Sequence, residues 1–227
     1  MTVLEYAADG NLREYLKINF NNINWSQKLY NLRYLSEMTM NIHKLDIVHQ
    51  DFHPGNILSS DFKDYSVSIS DFGLTADVYS LGIISYEMIT GFPPYPDIPH
   101  NKDLAIKICN GLRPKIPFHT PKLITRTIMR CWDARVTYRP TFRELSEELG
   151  KYYNDYGSYL ENGENKDSEI VIQIKKAEEF SANQESTNTT TTTTTTTTTP
   201  LNYQTHPLAI YTSRLLNCSN LQESRKF

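Results

Sequence analysis

The sequence has little cysteine and none of the spacings that cysteine needs for a metal site. Only Cys109, Cys131 and Cys218 occur in the 227 residues. They form no Cys-x-x-Cys pair, and no histidine lies near them at metal-ligand spacing. An odd number of widely spaced cysteines favours a reducing compartment. We therefore expect a cytoplasmic, intracellular protein.

Long apolar runs and an excess of positive charge are also missing. No stretch approaches the roughly 18 uninterrupted apolar residues that a membrane-spanning helix needs. The first ten residues include two acids and no basic segment typical of a secretory signal. Lysine and arginine together number 23 against 26 acids, for a net charge of −3. These absences predict no membrane insertion and no general affinity for nucleic acid.

What is present is a periodic apolar pattern in residues 3–153. Helical spacing after Trp25 predicts a long helix with one buried face. Two short runs, 56–58 and 66–70, are typical of β-strands. Strongly apolar residues predict a helix over 77–90 that ends at Gly91. Further helices are predicted over 102–110, over 121–132 with Pro121 in the first turn, and over 141–153 with Thr141 as N-cap and Glu144 three residues later.

The composition changes at Asn154, where Gly, Asn, Glu and Ser accumulate. We interpret residues 154–188 as a linker that can contain a short amphipathic helix over 168–180. The threonine run within 189–199 cannot bury a core, so the tail 189–227 is predicted to be disordered. A mildly apolar segment around 203–216 leaves a docking peptide as the minority alternative.

Two motifs carry chemistry. The first is His49-Gln50-Asp51-Phe52-His53-Pro54-Gly55-Asn56, and Asp71-Phe72-Gly73 follows it. Together they resemble the catalytic and metal-binding loops of the protein kinase family. Phosphoryl transfer needs little covalent help and much positioning, which explains why the family fixes these residues at this spacing.

The resemblance implies a role for each matching residue. Asp51 would accept the proton of the attacking hydroxyl. Asn56 and Asp71 would hold Mg²⁺, for which amide and carboxylate oxygens are suitable hard ligands. His53 stands where serine/threonine kinases usually have a lysine aimed at the γ-phosphate, and a neutral histidine is a weaker phosphate ligand.

Flanking residues resemble the ATP-binding parts of the family. Leu4-Glu5-Tyr6-Ala7 and Gly10-Asn11-Leu12 look like the hinge between the two lobes. By resemblance, backbone groups of Glu5 and Ala7 would pair with adenine, and Asn11 would lie near the ribose. Leu58 matches the apolar residue beneath the adenine ring.

Downstream matches extend the resemblance to residues 3–153. Asp77-Val78-Tyr79-Ser80-Leu81-Gly82 resembles the start of the large central helix. Cys131-Trp132-Asp133 and Arg139-Pro140-Thr141-Phe142 resemble the closing helical subdomain of the tyrosine-kinase-like and tyrosine branches. The implied fold is α+β by family and mainly α in this chain: a partial kinase domain over 1–153, comprising hinge and C-terminal lobe, with a few short strands near the catalytic loop and a disordered tail.

The sequence also departs from the family. Only the five residues Phe72 to Ala76 separate Asp71 from Asp77, where the family has an activation segment and an Ala-Pro-Glu motif. Arg139 would ordinarily pair with the glutamate of that motif. Neither Gly-x-Gly-x-x-Gly nor Val-Ala-Ile-Lys occurs, and Met1 lies almost at the hinge, so the N-terminal lobe is not represented. These differences predict impaired catalysis.

Three interpretations remain open. The chain can represent an ATP-dependent kinase of protein substrates in signal transduction whose gene model has lost segments. It can be a noncatalytic pseudokinase fragment that acts as a binding or scaffold module for signalling partners. It can also fail to fold stably alone, because the top of the lobe would expose apolar surface.

Overall fold

Helices dominate the protein. The computed structural model describes residues 7–44, 52–62, 66–69, 77–187 and 204–211. The helices are α1 (Leu12–Asn19), α2 (Trp25–His43), α3 (Asp77–Thr90), α4 (Lys102–Cys109), α5 (Lys122–Cys131), α6 (Phe142–Asn162) and α7 (Glu169–Thr187), with short 3₁₀ turns at Phe20–Asn22, Pro54–Asn56 and Val136–Tyr138. No helix in these described ranges is long and apolar enough to cross a membrane.

A small antiparallel sheet lies beside the helices. Its strands are β1 (Gly10–Asn11), β2 (Ile57–Asp61) and β3 (Ser66–Ile69), in the order β1-β2-β3. The two β-type runs predicted from the sequence are thus confirmed as β2 and β3. The mainly helical fold with a few short strands is also confirmed.

The α2 and α6 helices form the centre of the helical body and pack together more extensively than any other described pair. Leu29 and Leu32 of α2 and Leu145 of α6 are almost completely buried. Both helices begin with a capping box, in which two otherwise unpaired backbone N–H groups are satisfied by side chains. The box at α6 consists of Thr141 and Glu144, as the sequence predicts.

Close approach between α3 and the end of α5 depends on a glycine. A Cβ atom at Gly82 would lie 2.6 Å from Nε1 of Trp132. Trp132 is 1% exposed and is the largest side chain in the fully buried core. The predicted stop of α3 at Gly91 is confirmed, since Gly91 has a φ of +76°. Pro121, however, is the N-cap of α5 and lies outside the first turn.

The predicted helix end near Tyr153 is wrong. The α6 helix continues to Asn162 and stops at Gly163, which has a left-handed backbone. Tyr156 extends the buried face formed by Leu149 and Tyr152, so the apolar pattern continues where polar residues around it suggested a linker. These polar residues lie on the exposed side of the same helix.

The segment interpreted as a linker also contains α7, which covers residues 169–180 of the helix predicted over 168–180 and continues to residue 187. Ile170, Val171 and Ile174 are at most 1% exposed and belong to the main core. Gln173 accepts a hydrogen bond from the backbone N–H of Leu123 at 2.9 Å, which caps α5. Residues 169–187 are therefore part of the folded body, and an assignment of all of 154–188 to a linker is wrong.

Eight residues of the tail are described, and they contact the domain. The backbone N–H of His206 donates to the carbonyl oxygen of Pro96 at 2.8 Å, and that of His100 donates to Leu208 at 3.0 Å. Within the tail, residues 204–211 thus contact the domain through backbone hydrogen bonds, and the docking alternative stays a prediction. The threonine run lies outside the described residues. The domain limit proposed at 188 stays a prediction.

Cysteine chemistry differs from expectation at one position. Cys131 is a free, buried thiol, and burial raises its pKa to about 12. Cys109, at the end of α4, is disulfide-bonded. A disulfide is uncommon in the reducing compartment that the cysteine pattern favours, so Cys109 departs from that expectation.

Candidate active site

The sheet brings together two residues that the sequence assigns to nucleotide binding. Asn11 of β1 lies directly opposite Leu58 of β2. Opposed residues in an antiparallel pair point to the same side of the sheet. Ile57 and Ser59, on the other side, are 0% and 2% exposed and face the core. Asn11 and Leu58 therefore share the face directed away from the core, where Leu58 is half-buried.

A tight turn holds the hinge segment against β2. The backbone N–H of Gly10 donates to the carbonyl oxygen of Ala7 at 3.0 Å, and Gly10 has a φ of +68°, which glycine adopts without strain. Asp9 donates its backbone N–H to Ser59 at 3.1 Å, and its carboxylate accepts from the N–H of Phe62 at 2.9 Å. These bonds fix Ala7 at the sheet edge. Glu5 lies outside the described residues.

Asn11 also starts α1. Its Oδ1 accepts a hydrogen bond from the backbone N–H of Glu14 at 3.1 Å, which satisfies one of the open donors at the helix N-terminus. The cap uses Oδ1, so the remaining donors of the amide are the two Nδ2 hydrogens. A hydrogen-bond donor is the group that Asn11 would offer to a ribose hydroxyl.

The loop that resembles the catalytic loop of kinases is described from Phe52 onward. Phe52 is 1% exposed and Pro54 is also buried, so the loop is attached to the core on this side. The backbone N–H of Asn56 donates to the carbonyl oxygen of His53 at 2.9 Å, which closes the 3₁₀ turn. Asn56 therefore lies at the entry to β2, two residues before Leu58.

His53 has a local structural role. Its Nδ1 accepts a hydrogen bond from the backbone N–H of Gly55 at 2.9 Å, so a neutral ring carries its proton on Nε2. A Cβ atom at residue 55 would lie 2.7 Å from Cε1 of His53. Glycine is thus required for this ring position. The predicted role of His53 near a phosphate stays a prediction.

Two of the main catalytic predictions cannot be located. Asp51 and Asp71 lie outside the described residues. Ile69, the last residue of β3, pairs with Ile57, the first residue of β2. The end of β3, two residues before Asp71, therefore lies beside the start of β2, which directly follows Asn56. In the part of the chain that is described, no group of three His, Cys, Asp or Glu side chains could hold a metal ion.

Sequence reasoning missed a buried ion pair between α1 and α3. Glu87 is 2% exposed and receives hydrogen bonds from Nη2 of Arg13 at 2.7 Å and from Nε at 2.9 Å. Burial raises the pKa of Glu87, while the hydrogen bonds and charge of Arg13 act in the opposite direction. A signal was available: Glu87 is the one charged residue between Val78 and Thr90. A buried charge needs a partner.

By resemblance to the kinase family, Arg139 would pair with the glutamate of an Ala-Pro-Glu motif. In this structure Arg139 contacts other groups. Its Nε donates to the carbonyl oxygen of Asp133 at 2.9 Å. Its guanidinium carbon lies 5.2 Å from the ring centroid of Tyr79 on α3, within the range of a cation–π interaction. The closing subdomain is thereby joined to the central helix.

Comparison with family models gives a match to the protein tyrosine and serine/threonine kinase family. The match falls in two parts, residues 1–78 and 74–149, which together cover more than half of the chain. The two parts overlap near Asp77, close to the position where the activation segment is missing from the sequence.

Curated relatives are kinases by name. A protein of Acanthamoeba polyphaga mimivirus, named as a serine/threonine-protein kinase/receptor, is 28% identical over 186 residues, which cover 67% of this chain and 11% of that protein. Tyrosine-protein kinase SPK-1 of Girardia tigrina is 29% identical over 192 residues, covering 66% and 38%. Dual specificity protein kinase shkE of Dictyostelium discoideum is 40% identical over 89 residues, covering 37% and 12%. The chain spans well under half the length of each relative.

The longer alignments contain residues without a counterpart in this chain. For the Girardia kinase, 66% of 227 residues is fewer than the 192 aligned positions. The relative therefore has a few dozen residues opposite gaps. The mimivirus alignment has the same property.

Proposed function

The chain belongs to the protein tyrosine and serine/threonine kinase family, and from this premise we propose that its chemistry is ATP-dependent phosphoryl transfer to protein hydroxyls in signal transduction. The observation that carries the proposal is the pairing of Asn11 with Leu58, with Asn56 in the turn directly before the strand that contains Leu58. This arrangement supports an ATP site on the face of the sheet directed away from the core.

Each residue has a proposed task. The hinge groups of Glu5 and Ala7 and the side chain of Leu58 would bind adenine, and Asn11 would donate to the ribose. Asn56 and Asp71 would hold Mg²⁺ through hard oxygen atoms. When bound, ATP supplies the phosphoryl group. Asp51 would accept the proton of the substrate hydroxyl, and His53 would offer its Nε2–H to a phosphate oxygen.

We further propose that the chain as given transfers phosphate poorly. Five residues between Asp71 and Asp77 leave no room for the platform that positions a protein substrate. The two-part family match and the gaps in the longer alignments support a missing internal segment. We propose a cytoplasmic location, with ATP, a protein substrate and signalling proteins as partners.

Binding and transfer are tested separately. Mg-ATP at ten times its Kd is expected to stabilise the protein by about 1.4 kcal/mol, measured as a thermal shift. Asn56→Ala and Asp71→Ala are expected to remove the shift, while Asn154→Ala, an exposed position on α6, is expected to keep it. A protein without any shift, or one whose shift survives both site variants, would contradict the ATP site.

Transfer is measured with γ-labelled ATP and a mixed pool of Ser, Thr and Tyr peptides. We expect a low rate that Asp51→Asn abolishes. A turnover near the typical 1–100 s⁻¹ of kinases would contradict the proposed impairment. Label incorporation that is unchanged in Asp51→Asn would contradict the assignment of the base.

A second candidate is a noncatalytic module that binds proteins or peptides. It is favoured by residues 204–211, which contact the body through backbone hydrogen bonds. Loss of Mg-ATP binding together with retained peptide contacts would favour this candidate over the kinase.

A further inference from the structure

We infer that residues 204–211 are an intramolecular ligand, here called the docking peptide, of a peptide-binding groove formed by Arg13, Tyr95, Pro96 and His100. This inference does not rest on phosphoryl transfer, because it concerns only contacts between the tail and the body. It assigns a function to the loop between α3 and α4, which none of the catalytic motifs uses.

Main-chain hydrogen bonds hold the docking peptide in register. The N–H of His206 donates to the carbonyl oxygen of Pro96 at 2.8 Å, and the N–H of His100 donates to Leu208 at 3.0 Å. Nε2 of the His100 ring lies 3.0 Å from the carbonyl oxygen of Tyr95, and Nδ1 lies 2.8 Å from the carbonyl oxygen and 3.1 Å from the backbone N–H of Ile210. The tautomer of the ring sets which of the two Ile210 groups Nδ1 pairs with.

His100 therefore connects the loop between α3 and α4 with the docking peptide. One ring nitrogen is held by its own loop, and the other recognises the peptide backbone. Tyr95 has a φ of +52°, which is rare for a residue with a Cβ and marks a constrained loop. This constrained backbone places the carbonyl oxygen of Tyr95 within 3.0 Å of Nε2 of His100, and this contact orients the His100 ring.

Tyr211 is the anchor of the docking peptide. The guanidinium carbon of Arg13 lies 4.8 Å from the ring centroid of Tyr211, and Nη1 of Arg13 donates to the carbonyl oxygen of Tyr211 at 3.2 Å. The ring of His100 packs edge-on at a centroid distance of 4.9 Å. Arg13 is itself fixed by Glu87, so the cation is already oriented before the peptide binds.

The rest of the docking peptide forms a turn and buries little apolar surface. Ala209 donates its N–H to the carbonyl oxygen of His206 at 2.8 Å, and Leu208 donates to Nδ1 of His206 at 3.0 Å, which forms a turn. The Leu208 side chain is 61% exposed. The groove therefore fits a peptide with a short turn followed by an aromatic residue.

Tethering favours this segment over a free peptide. Residues 188–203 connect α7 to the docking peptide, and at about 3.3–3.6 Å per residue they can span up to about 55 Å. Because these residues join the docking peptide covalently to the body, its binding is intramolecular and occurs at a raised effective concentration. A foreign peptide with the same features would have to displace the tail.

Hydrogen exchange of the full chain tests the inference. It is measured by mass spectrometry with reductant present, so that the disulfide of Cys109 makes no contribution. We expect the amides of 206–210 to exchange roughly tenfold or more slowly than in a synthetic peptide of the same sequence. Tyr211→Ala is expected to remove most of this protection, and Leu208→Ala, the matched control, to change it less than about twofold. Protection in α2 and α6 should be equal in all three proteins.

Several results would overturn the inference. Exchange in 204–211 as fast as in the synthetic peptide would do so, as would equal effects of Tyr211→Ala and Leu208→Ala. Protection that falls on dilution would show that the peptide binds a second copy and would contradict an intramolecular ligand. His100→Ala gives an independent check from the body side, since its expected effect is the same loss confined to 204–211.

Discussion

The helical body, centred on α2 and α6, and the sheet edge, formed by β1 and β2, are built differently. In the body, α2 and α6 bury regularly spaced apolar residues along two long helices. At the edge, two- to five-residue strands pair segments far apart in sequence, such as Asn11 with Leu58. Short strands cannot supply much apolar burial of their own, so the edge depends on the body for support. Stability and the proposed chemistry therefore reside in different regions.

Trp132→Ala should give the largest change, and it should affect the body as a whole. The ring is buried against Gly82 and lies 5.9 Å from the ring centroid of Tyr86. Removal of a buried Trp side chain costs about 3–5 kcal/mol, measured by urea denaturation. Trp132→Phe keeps most of the packing and should cost clearly less. Equal losses in both variants would show that volume does not determine stability at this position.

Lys28→Met should stabilise the body in a pH-dependent way. Lys28 lies under the rings of Phe20 and Trp25, and burial lowers its pKa from 10.5 to about 8. The charged form is therefore disfavoured in the folded state. The unfolded chain binds more protons between pH 8 and 10.5, so the penalty is complete below about pH 8 and fades as the pH rises through this window.

The gain from Lys28→Met is expected to be about 2–3 kcal/mol at pH 7 and to shrink towards pH 10.5. Urea denaturation at several pH values measures it. Lys17→Met, at an exposed position on α1, is the control and should show no such trend. If the gain in stability did not change with pH, removal of the buried charge would not be its cause.

Gly55→Ala should act at the sheet edge and leave the body unchanged. The new Cβ would force the ring of His53 aside and break its hydrogen bond with residue 55. Overpacking of this kind costs about 1–2 kcal/mol locally. Faster hydrogen exchange in 52–61 and weaker Mg-ATP binding are expected, with unchanged exchange in α2. A global loss of stability would show that edge and body unfold as one unit.

Thr141→Ala should have the smallest effect. It removes the capping box at the start of α6, which costs typically about 1 kcal/mol. Thr141→Ser retains a hydroxyl and should recover most of the loss. Both are measured by thermal unfolding, and neither should alter Mg-ATP binding if body and edge are separate in function.

The same contrast explains what the sequence could predict. Helices α2 and α3 follow from local periodicity and glycine stops, and the cap at Thr141 follows from a local motif. The kinase motifs predicted the family, which depends on residue identity at fixed spacing. The pairing of Arg13 with Glu87 joins residues far apart in sequence, and local patterns carry no information about which cation meets a buried acid.

The tail was harder to predict for a related reason. Its contacts with Pro96 and His100 use backbone groups, which every residue has and which leave little trace in composition. The sequence predicts too early an end for α6, because Gly, Asn and Glu near this end obscure the buried position of Tyr156. Exposed polar residues are common both in linkers and on the outer faces of helices.

The packing of α7 determines where the protein can be truncated without exposing its core. Family similarity ends at residue 149, within α6, yet three side chains from α7 are in the main core, and Gln173 caps α5. A recombinant fragment ending at residue 153 would remove that cover and expose Tyr152 together with the apolar face beneath it. The smallest unit that folds independently should therefore extend to residue 187, beyond the region by which the family is recognised.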